Sequence, residues 1–165
     1  MSMGIKVDET ASKKFVKDCQ VETDAEAMLT DDYVHSQTER LRIYRELNEA
    51  KDEPEVTRFE AELLDRFGKL PDPVKELTNV VRLRLLAAEL GIERIVFKNK
   101  VFICFFVSQE DSPFYSSPIF INIVEYIKKH PSTCKMNQGK EKLSLSVSPV
   151  KGVSEALKIL NEMKG

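Results

Sequence analysis

The segment from Phe59 to Val81 constrains the fold of this chain more than any other. Apolar residues recur at helical spacing as far as Phe67, and Gly68 follows, a residue type that commonly ends a helix with a positive φ. Positions 70–73 read Leu-Pro-Asp-Pro, a stiff connector because each proline fixes its own φ and lacks a backbone donor. We predict that Asp72 caps the next helix and that the proline after it opens that helix, so the connector sets the angle between two helices.

Three consecutive helices are predicted in this part of the chain. The first starts at Ser36, which forms a capping box with Glu39, and the second starts at the cap Asp52 and ends at Gly68. The third is apolar around most of its circumference up to Gly91, so we expect it to be central and packed on several sides. The predicted apolar positions of the first two helices are Leu41, Tyr44, Leu47, Val56, Phe59, Leu63 and Phe67.

Beyond the third helix the apolar period changes from helical to alternating. Two hairpins are predicted, at positions 92–107 and 134–147, with one helix between them and another after them. The run Val101–Val107 is apolar on both faces, which predicts an inner strand covered on both sides. Ser144 and the serines alternating with it are expected to face water. Phe15–Val21 has the alternation of an edge strand, so the pattern predicts an α+β fold: helices packed on a small, mostly antiparallel sheet built from two hairpins plus an N-terminal strand.

Length and composition bound the class of protein. A chain of 165 residues suggests a single domain, for which we assign residues 15–165, preceded by a flexible segment at residues 1–14. Its net charge is −2, which argues against a strongly basic nucleic-acid binder. The sequence has no apolar run near the ~20 residues of a membrane span and no signal peptide at its start. Three widely spaced cysteines argue against a disulfide framework, so we expect a cytoplasmic protein. A monomer is the default expectation, since the sequence does not give the oligomeric state.

Catalytic motifs are missing from the sequence. The six glycines form no phosphate-binding loop, and no metal-binding or nucleophile motif occurs. Cys104 lies inside an apolar run and is predicted to be a core residue, while His35 is expected in solvent and His130 at a helix end. We therefore predict no catalytic residue, no metal site and no cofactor. An enzyme of unrecognised type is the weaker alternative.

Charged helix faces are the remaining candidates for function. Glu62 and Asp65 lie three residues apart and so share one face of the second helix. They form either an ordinary solvated surface, partly neutralised by Arg58 and Arg66, or an acidic docking patch. The arginines of the first and third helices form either salt-bridged surface or a phosphate-contacting surface. The second possibility keeps a nucleic-acid-binding accessory domain as an alternative function, and a stand-alone interaction domain is another.

Several motifs resemble the C-terminal domain of the bacterial transcription-repair coupling factors. They read RLRIYREL at positions 40–47, AKDE at 50–53, ELLDRFGKLPDPV at 62–74, RLR at 82–84 and LGI at 90–92. The resemblance extends over about residues 15–165 and is densest between Asp31 and Ile92. Towards the C-terminus it is carried mainly by the order of the elements.

The resemblance implies a regulatory role inside a larger protein. The parent would be an ATP-dependent DNA translocase of transcription-coupled nucleotide excision repair that binds RNA polymerase, UvrA and double-stranded DNA. Its C-terminal domain would be non-catalytic and would pack on a UvrB-like module of the same protein. There it would mask the UvrA-binding surface and restrain the motor. The resemblance assigns this contact to Glu62 and Asp65, with Arg66 as a weaker candidate.

Overall fold

The structure, a computed structural model, describes residues 15–109, 111–139 and 142–165. The flexible segment expected at residues 1–14 lies outside the described residues. In chain order the elements are β1 (Gln20–Thr23), α1 (Gln37–Asn48), α2 (Glu53–Phe67), α3 (Asp72–Glu89), β2 (Ile92–Lys98), β3 (Val101–Phe106), α4 (Pro118–Lys129), β4 (Cys134–Gln138), β5 (Leu143–Val147) and α5 (Val153–Lys164). A 3₁₀ turn at Pro113–Ser116 lies within the predicted loop.

One mixed sheet forms the base of the domain. Its strand order is β1-β2-β3-β5-β4, in which β1 runs parallel to β2 and every other neighbouring pair is antiparallel. The tight turn between β2 and β3 places Asn99 and Lys100 at φ of 53° and 65°, the two positive values that a type I′ hairpin requires. The α+β prediction is confirmed, and β1 lies at the edge of the sheet as expected. The strand was predicted at Phe15–Val21 but spans Gln20–Thr23, so its predicted position was wrong.

Two hydrophobic cores share helix α3. In the larger core, Leu83 and Ala87 of α3 pack with the inward side chains of the sheet and with α5. In the smaller core, Val81 and Leu85 of the same helix pack with α1 and α2. The prediction that this apolar helix is central is therefore confirmed. Gly91 follows it at φ of 74°, where a Cβ would overlap the ring of Phe114.

Details of the first and third helices differ from the sequence predictions. Leu41 is 58% exposed and the buried position is instead Ile43 at 1%, because the core-facing stripe of α1 runs through Ile43 and Leu47. Ser36 caps α1 as expected, by accepting from the Glu39 N–H. Asp72 does not cap α3: the helix starts at Asp72 itself, and no side-chain hydrogen bond caps it.

Strand β3 is central in the sheet but is covered on one face only. Phe102, Cys104 and Phe106 are buried beneath the helices, as predicted for an inner strand. Ile103 and Phe105 point the other way, are only half-buried, and belong to neither core. The expected cover on this face was wrong, because α3, α4 and α5 all pack on the other face of the sheet, in the larger core. Ser144 and Ser146 point to the same face as Ile103 and Phe105, as predicted from the alternation, and are half-buried there.

Candidate docking surface

Helix α2 carries the predicted site residues and is held firmly at both ends. The Asp52 carboxylate accepts from the Glu55 N–H at 3.0 Å, so the predicted cap is confirmed. Val56 and Leu63 are fully buried against α1 and α3, and Gly68 ends the helix at φ of 92°. Because the inward side of α2 is anchored this way, its outward side chains have a defined orientation.

The predicted acidic pair lies on that outward side. Glu62 and Asp65 are both exposed, and Arg58 lies one turn before Glu62 on the same side. Within the described part of the chain, neither carboxylate forms a hydrogen bond or an ion pair with Arg58, Arg66 or any other group. The two charges therefore remain available to an external partner.

Arg66 is engaged within the domain rather than with the acidic pair. Its guanidinium donates to the Glu39 carboxylate of α1 and lies 4.8 Å from the centroid of the Phe67 ring. Arg42 donates to the same carboxylate at 2.8 Å. Hydrogen bonds from Arg42 and then Arg66 lower the pKa of Glu39 to about 2. Arg66 therefore forms its ion pair with Glu39 and joins α2 to α1.

A groove of about 630 Å³ adjoins Glu62 where α1 ends and α2 begins. Ala50 and Phe59 contribute its apolar surface. Its charged lining consists of Glu46, Glu49, Glu55, Glu62, Lys51 and Arg58. The sequence did not predict this convergence because Glu46 lies on α1 and Glu49 directly after it, whereas Glu62 lies on α2. The short loop at positions 49–52 was the signal that the two helix ends lie close together.

A second ionic network locks α2 against α3. Arg82 donates to Glu60 at 2.7 Å and to Glu53 at 2.7 Å, so of the two alternatives for this arginine the structure shows the salt-bridged one. Burial raises the pKa of Glu60, but the hydrogen bonds from Arg82 and Thr78 outweigh it, so that pKa is lowered. The helix that presents Glu62 and Asp65 is therefore rigidly attached on the side facing α3.

The buried thiols and His130 are structural features of the described residues, whereas His35 is exposed. Cys104 is fully buried, and desolvation raises the pKa of its thiol well above the ordinary value, which keeps it protonated. Burial likewise raises the pKa of Cys19 to about 12. His130 follows α4, where its Nδ1 lies 2.9 Å from the Tyr126 carbonyl oxygen. Among the described side chains, no group of His, Cys, Asp and Glu has an arrangement that could hold a metal ion.

Membrane insertion through a helix finds no support in the described residues. None of their helices combines the length and the apolar character that crossing a bilayer requires.

Taken together, these features define an α+β domain that presents an uncommitted acidic helix face. A family model described as the TRCF domain matches residues 23–117, more than half of the chain. The chain belongs to this family, the TRCF domain of transcription-repair coupling factors. The resemblance found in the sequence is thereby confirmed.

Curated relatives agree with the family assignment. The transcription-repair-coupling factor of Escherichia coli is 40% identical over 76 residues, which are 46% of this chain and 7% of that protein. That of Mycobacterium tuberculosis is 42% identical over 76 residues, again 46% of this chain and 6% of the relative. That of Helicobacter pylori is 28% identical over 119 residues, 72% of this chain and 12% of the relative. The chain thus corresponds to a small part of each relative.

A solved structure shares the fold. The crystal structure of the C-terminal domain of a transcription-repair coupling factor matches with a TM-score of 0.72 over 89% of this chain and 91% of that one. The two are 18% identical over the aligned residues. The similarity therefore establishes the fold of the domain, including its second half, which lies largely beyond the family match.

Proposed function

We propose that this domain is a non-catalytic docking element of an ATP-dependent DNA translocase that acts in transcription-coupled nucleotide excision repair. It packs on a UvrB-like module of the same protein, masks the surface that recruits UvrA, and restrains the motor. Binding of RNA polymerase and DNA favours the undocked state. The family membership supports the biological setting, and the uncommitted Glu62 and Asp65 carboxylates carry the docking assignment.

The geometry of α2 suits a contact that must open. Two exposed carboxylates on a rigid helix bind a basic partner surface through charge complementarity at modest cost in desolvation. A small, partly polar interface between domains can separate when another ligand favours the open state. The groove beside Glu62 extends the same acidic surface. Arg66 contributes to it indirectly, by holding α2 against α1.

The proposal is tested by binding of the 165-residue chain to an isolated UvrB-like module of a transcription-repair coupling factor, measured by isothermal titration calorimetry. Glu62→Lys with Asp65→Lys is expected to weaken binding by roughly tenfold or more, because the two introduced lysines repel the basic partner. Glu26→Lys with Glu162→Lys makes the same charge change at exposed positions outside α2 and is expected to leave affinity unchanged. Equal affinity of the unsubstituted chain and the Glu62/Asp65 variant would contradict the proposal.

The masking step has its own readout in the complete translocase. There, the Glu62→Lys and Asp65→Lys changes are expected to raise both UvrA binding and the ATPase rate, since the docked state is weakened. If UvrA binding and ATPase rate stay unchanged while docking is weakened, the domain docks without masking or restraining the motor.

A further inference from the structure

The face of the sheet opposite the helices carries apolar side chains that lie outside both hydrophobic cores of the described residues. Val96 pairs with Ile103 across β2 and β3, and Arg94 pairs with Phe105, so these side chains share one side. They point away from Cys104 and Phe106, which lie in the larger core. Val96, Ile103 and Phe105 are half-buried and belong to neither core. We call the side to which these three residues point the open face. Apolar side chains grouped on an exposed face mark a contact site.

The open face is positively charged although the chain is acidic overall. On the strands of this face, the cations are Arg94, Lys98 and Lys135, all exposed. Glu22 is shared between two of them, at 3.1 Å from Arg94 and 2.6 Å from Lys98. Glu93, at the bulge before Arg94, is paired with Lys142. An excess of cations therefore remains, which is complementary to a polyanion.

The centre of the open face offers stacking surfaces and hydrogen-bonding groups. The Arg94 guanidinium lies 5.7 Å from the centroid of the Phe105 ring, so two planar groups adjoin on neighbouring strands. Ser144 is paired with Phe105 on one side and with Asn137 on the other. Bases stack on aromatic rings and on guanidinium planes, and hydroxyl and amide groups both donate and accept hydrogen bonds.

A nucleic-acid strand fits this face better than a peptide does. The backbone groups of β2 and β3 are already paired within the sheet, so an extended peptide lying across the face would leave its own N–H and C=O groups without partners. A polynucleotide presents phosphates to the cations and bases to Phe105 and needs no backbone pairing. In RNA, the ribose 2′-hydroxyls can form hydrogen bonds with the serine and asparagine side chains. DNA lacks these hydroxyls and cannot form the same bonds.

We propose that the open face binds single-stranded RNA. Phe105 stacks a base, Lys98 and Lys135 neutralise phosphates, and the hydroxyl of Ser144 with the amide of Asn137 bonds ribose hydroxyls. This site lies on the sheet and is separate from the acidic face of α2, so it adds a ligand to the docking role.

Fluorescence anisotropy of the 165-residue chain with fluorescein-labelled U15 RNA at low salt tests the site. The affinity is expected to fall with salt with a log–log slope of about −1.4, the value for the two phosphates that Lys98 and Lys135 neutralise on a single strand. Labelled dU15 is expected to bind more weakly, because it lacks the 2′-hydroxyls. Absence of U15 binding, or equal affinity for dU15, would overturn the proposal. So would displacement of U15 by a 15-residue polyglutamate peptide at equal concentration, which would indicate an acidic protein partner instead.

Matched variants locate the binding on the open face. Phe105→Leu keeps an apolar side chain but loses the aromatic ring, so it is expected to weaken U15 binding by about tenfold. Phe105→Tyr keeps an aromatic ring and is expected to retain U15 binding. Lys135→Gln is expected to reduce the salt slope by about 0.7, and Glu22→Gln to tighten binding. Lys158→Gln makes the same charge change on the exposed side of α5 and serves as the control. Equal losses for Lys135→Gln and Lys158→Gln, with thermal unfolding unchanged, would show non-specific attraction and overturn the assignment.

Discussion

At the scale of single residues, the candidate site depends on which charges are already committed. Glu39 accepts hydrogen bonds from both Arg42 and Arg66, so Arg66 is held by the domain itself. Glu62 and Asp65 have no such partner within the described residues. Spacing along a helix shows which residues share a face, but the arginine that neutralises a carboxylate comes from wherever the fold brings one. The distinction between Arg66 and its acidic neighbours therefore depended on the position of α1.

The pKa of Glu39 depends on whether Arg66 donates to its carboxylate. Its folded-state value of about 2 lies below its ordinary 4.5, so the interaction stabilises the fold above about pH 4.5 and is lost as the pH falls through about 2. Arg66→Gln is expected to raise the pKa of Glu39 while Arg42 keeps it below 4.5. NMR titration of the carboxyl groups measures the pKa of Glu39 in the unsubstituted chain and in Arg66→Gln. An unchanged pKa in Arg66→Gln would contradict the pairing, and a rise when the UvrB-like module binds would show that Arg66 transfers to the partner.

At the scale of elements, the starts of the helices show what local sequence can and cannot specify. Both Asp52 and Asp72 precede a proline near the start of a helix, and the sequence predicted a cap at each. Only Asp52 has the extended backbone of a cap and accepts a helical N–H. At Asp72 the preceding Pro71 takes the cap position, with an extended ψ of 163°. Two prolines in one connector make the register of the helix start ambiguous, and packing resolves it.

The two aspartates give a matched pair of substitutions. Asp52→Ala is expected to lower the free energy of unfolding by about 1 kcal/mol, because the Glu55 N–H loses its acceptor. Asp72→Ala is expected to cost less than about 0.5 kcal/mol, since it removes only a favourable charge near the helix N-terminus. Urea denaturation followed by circular dichroism compares them. Equal losses at the two positions would show that Asp72 also acts as a cap.

At the scale of the whole molecule, α3 joins the helical half to the sheet. Its residues contribute to both hydrophobic cores, so a substitution that destabilises one core should also destabilise the other. This coupling gives the docking surface a mechanical connection to the sheet. The arrangement also places the acidic face of α2 and the open face of the sheet on separate parts of one cooperative unit.

The cooperativity can be tested by substitution in the smaller core. Leu63→Ala removes a side chain that is 2% exposed and is expected to lower the free energy of unfolding by about 2–5 kcal/mol, through lost burial and the cavity left behind. Because α3 is shared, amide hydrogen exchange in β3 and in α1 should accelerate together. The adjacent Leu64→Ala, at 54% exposed, should cost less than about 0.5 kcal/mol. Faster exchange in α1 with β3 unchanged would show two independent units.

The sequence by itself determined the elements and the family. Periodicity, glycine stops and the Leu-Pro-Asp-Pro connector located the helices and both hairpins, because these signals act through neighbouring backbone groups. Only the tertiary structure decided which faces were covered. Ile103 and Phe105 were predicted to be core residues but lie on the open face. Leu41 was predicted to be buried but is exposed. Burial depends on which side of the sheet the helices pack, and no local pattern carries that information. The same holds for the site: the sequence predicted that Glu62 and Asp65 share a helix face, but only the fold showed that neither pairs with another described residue.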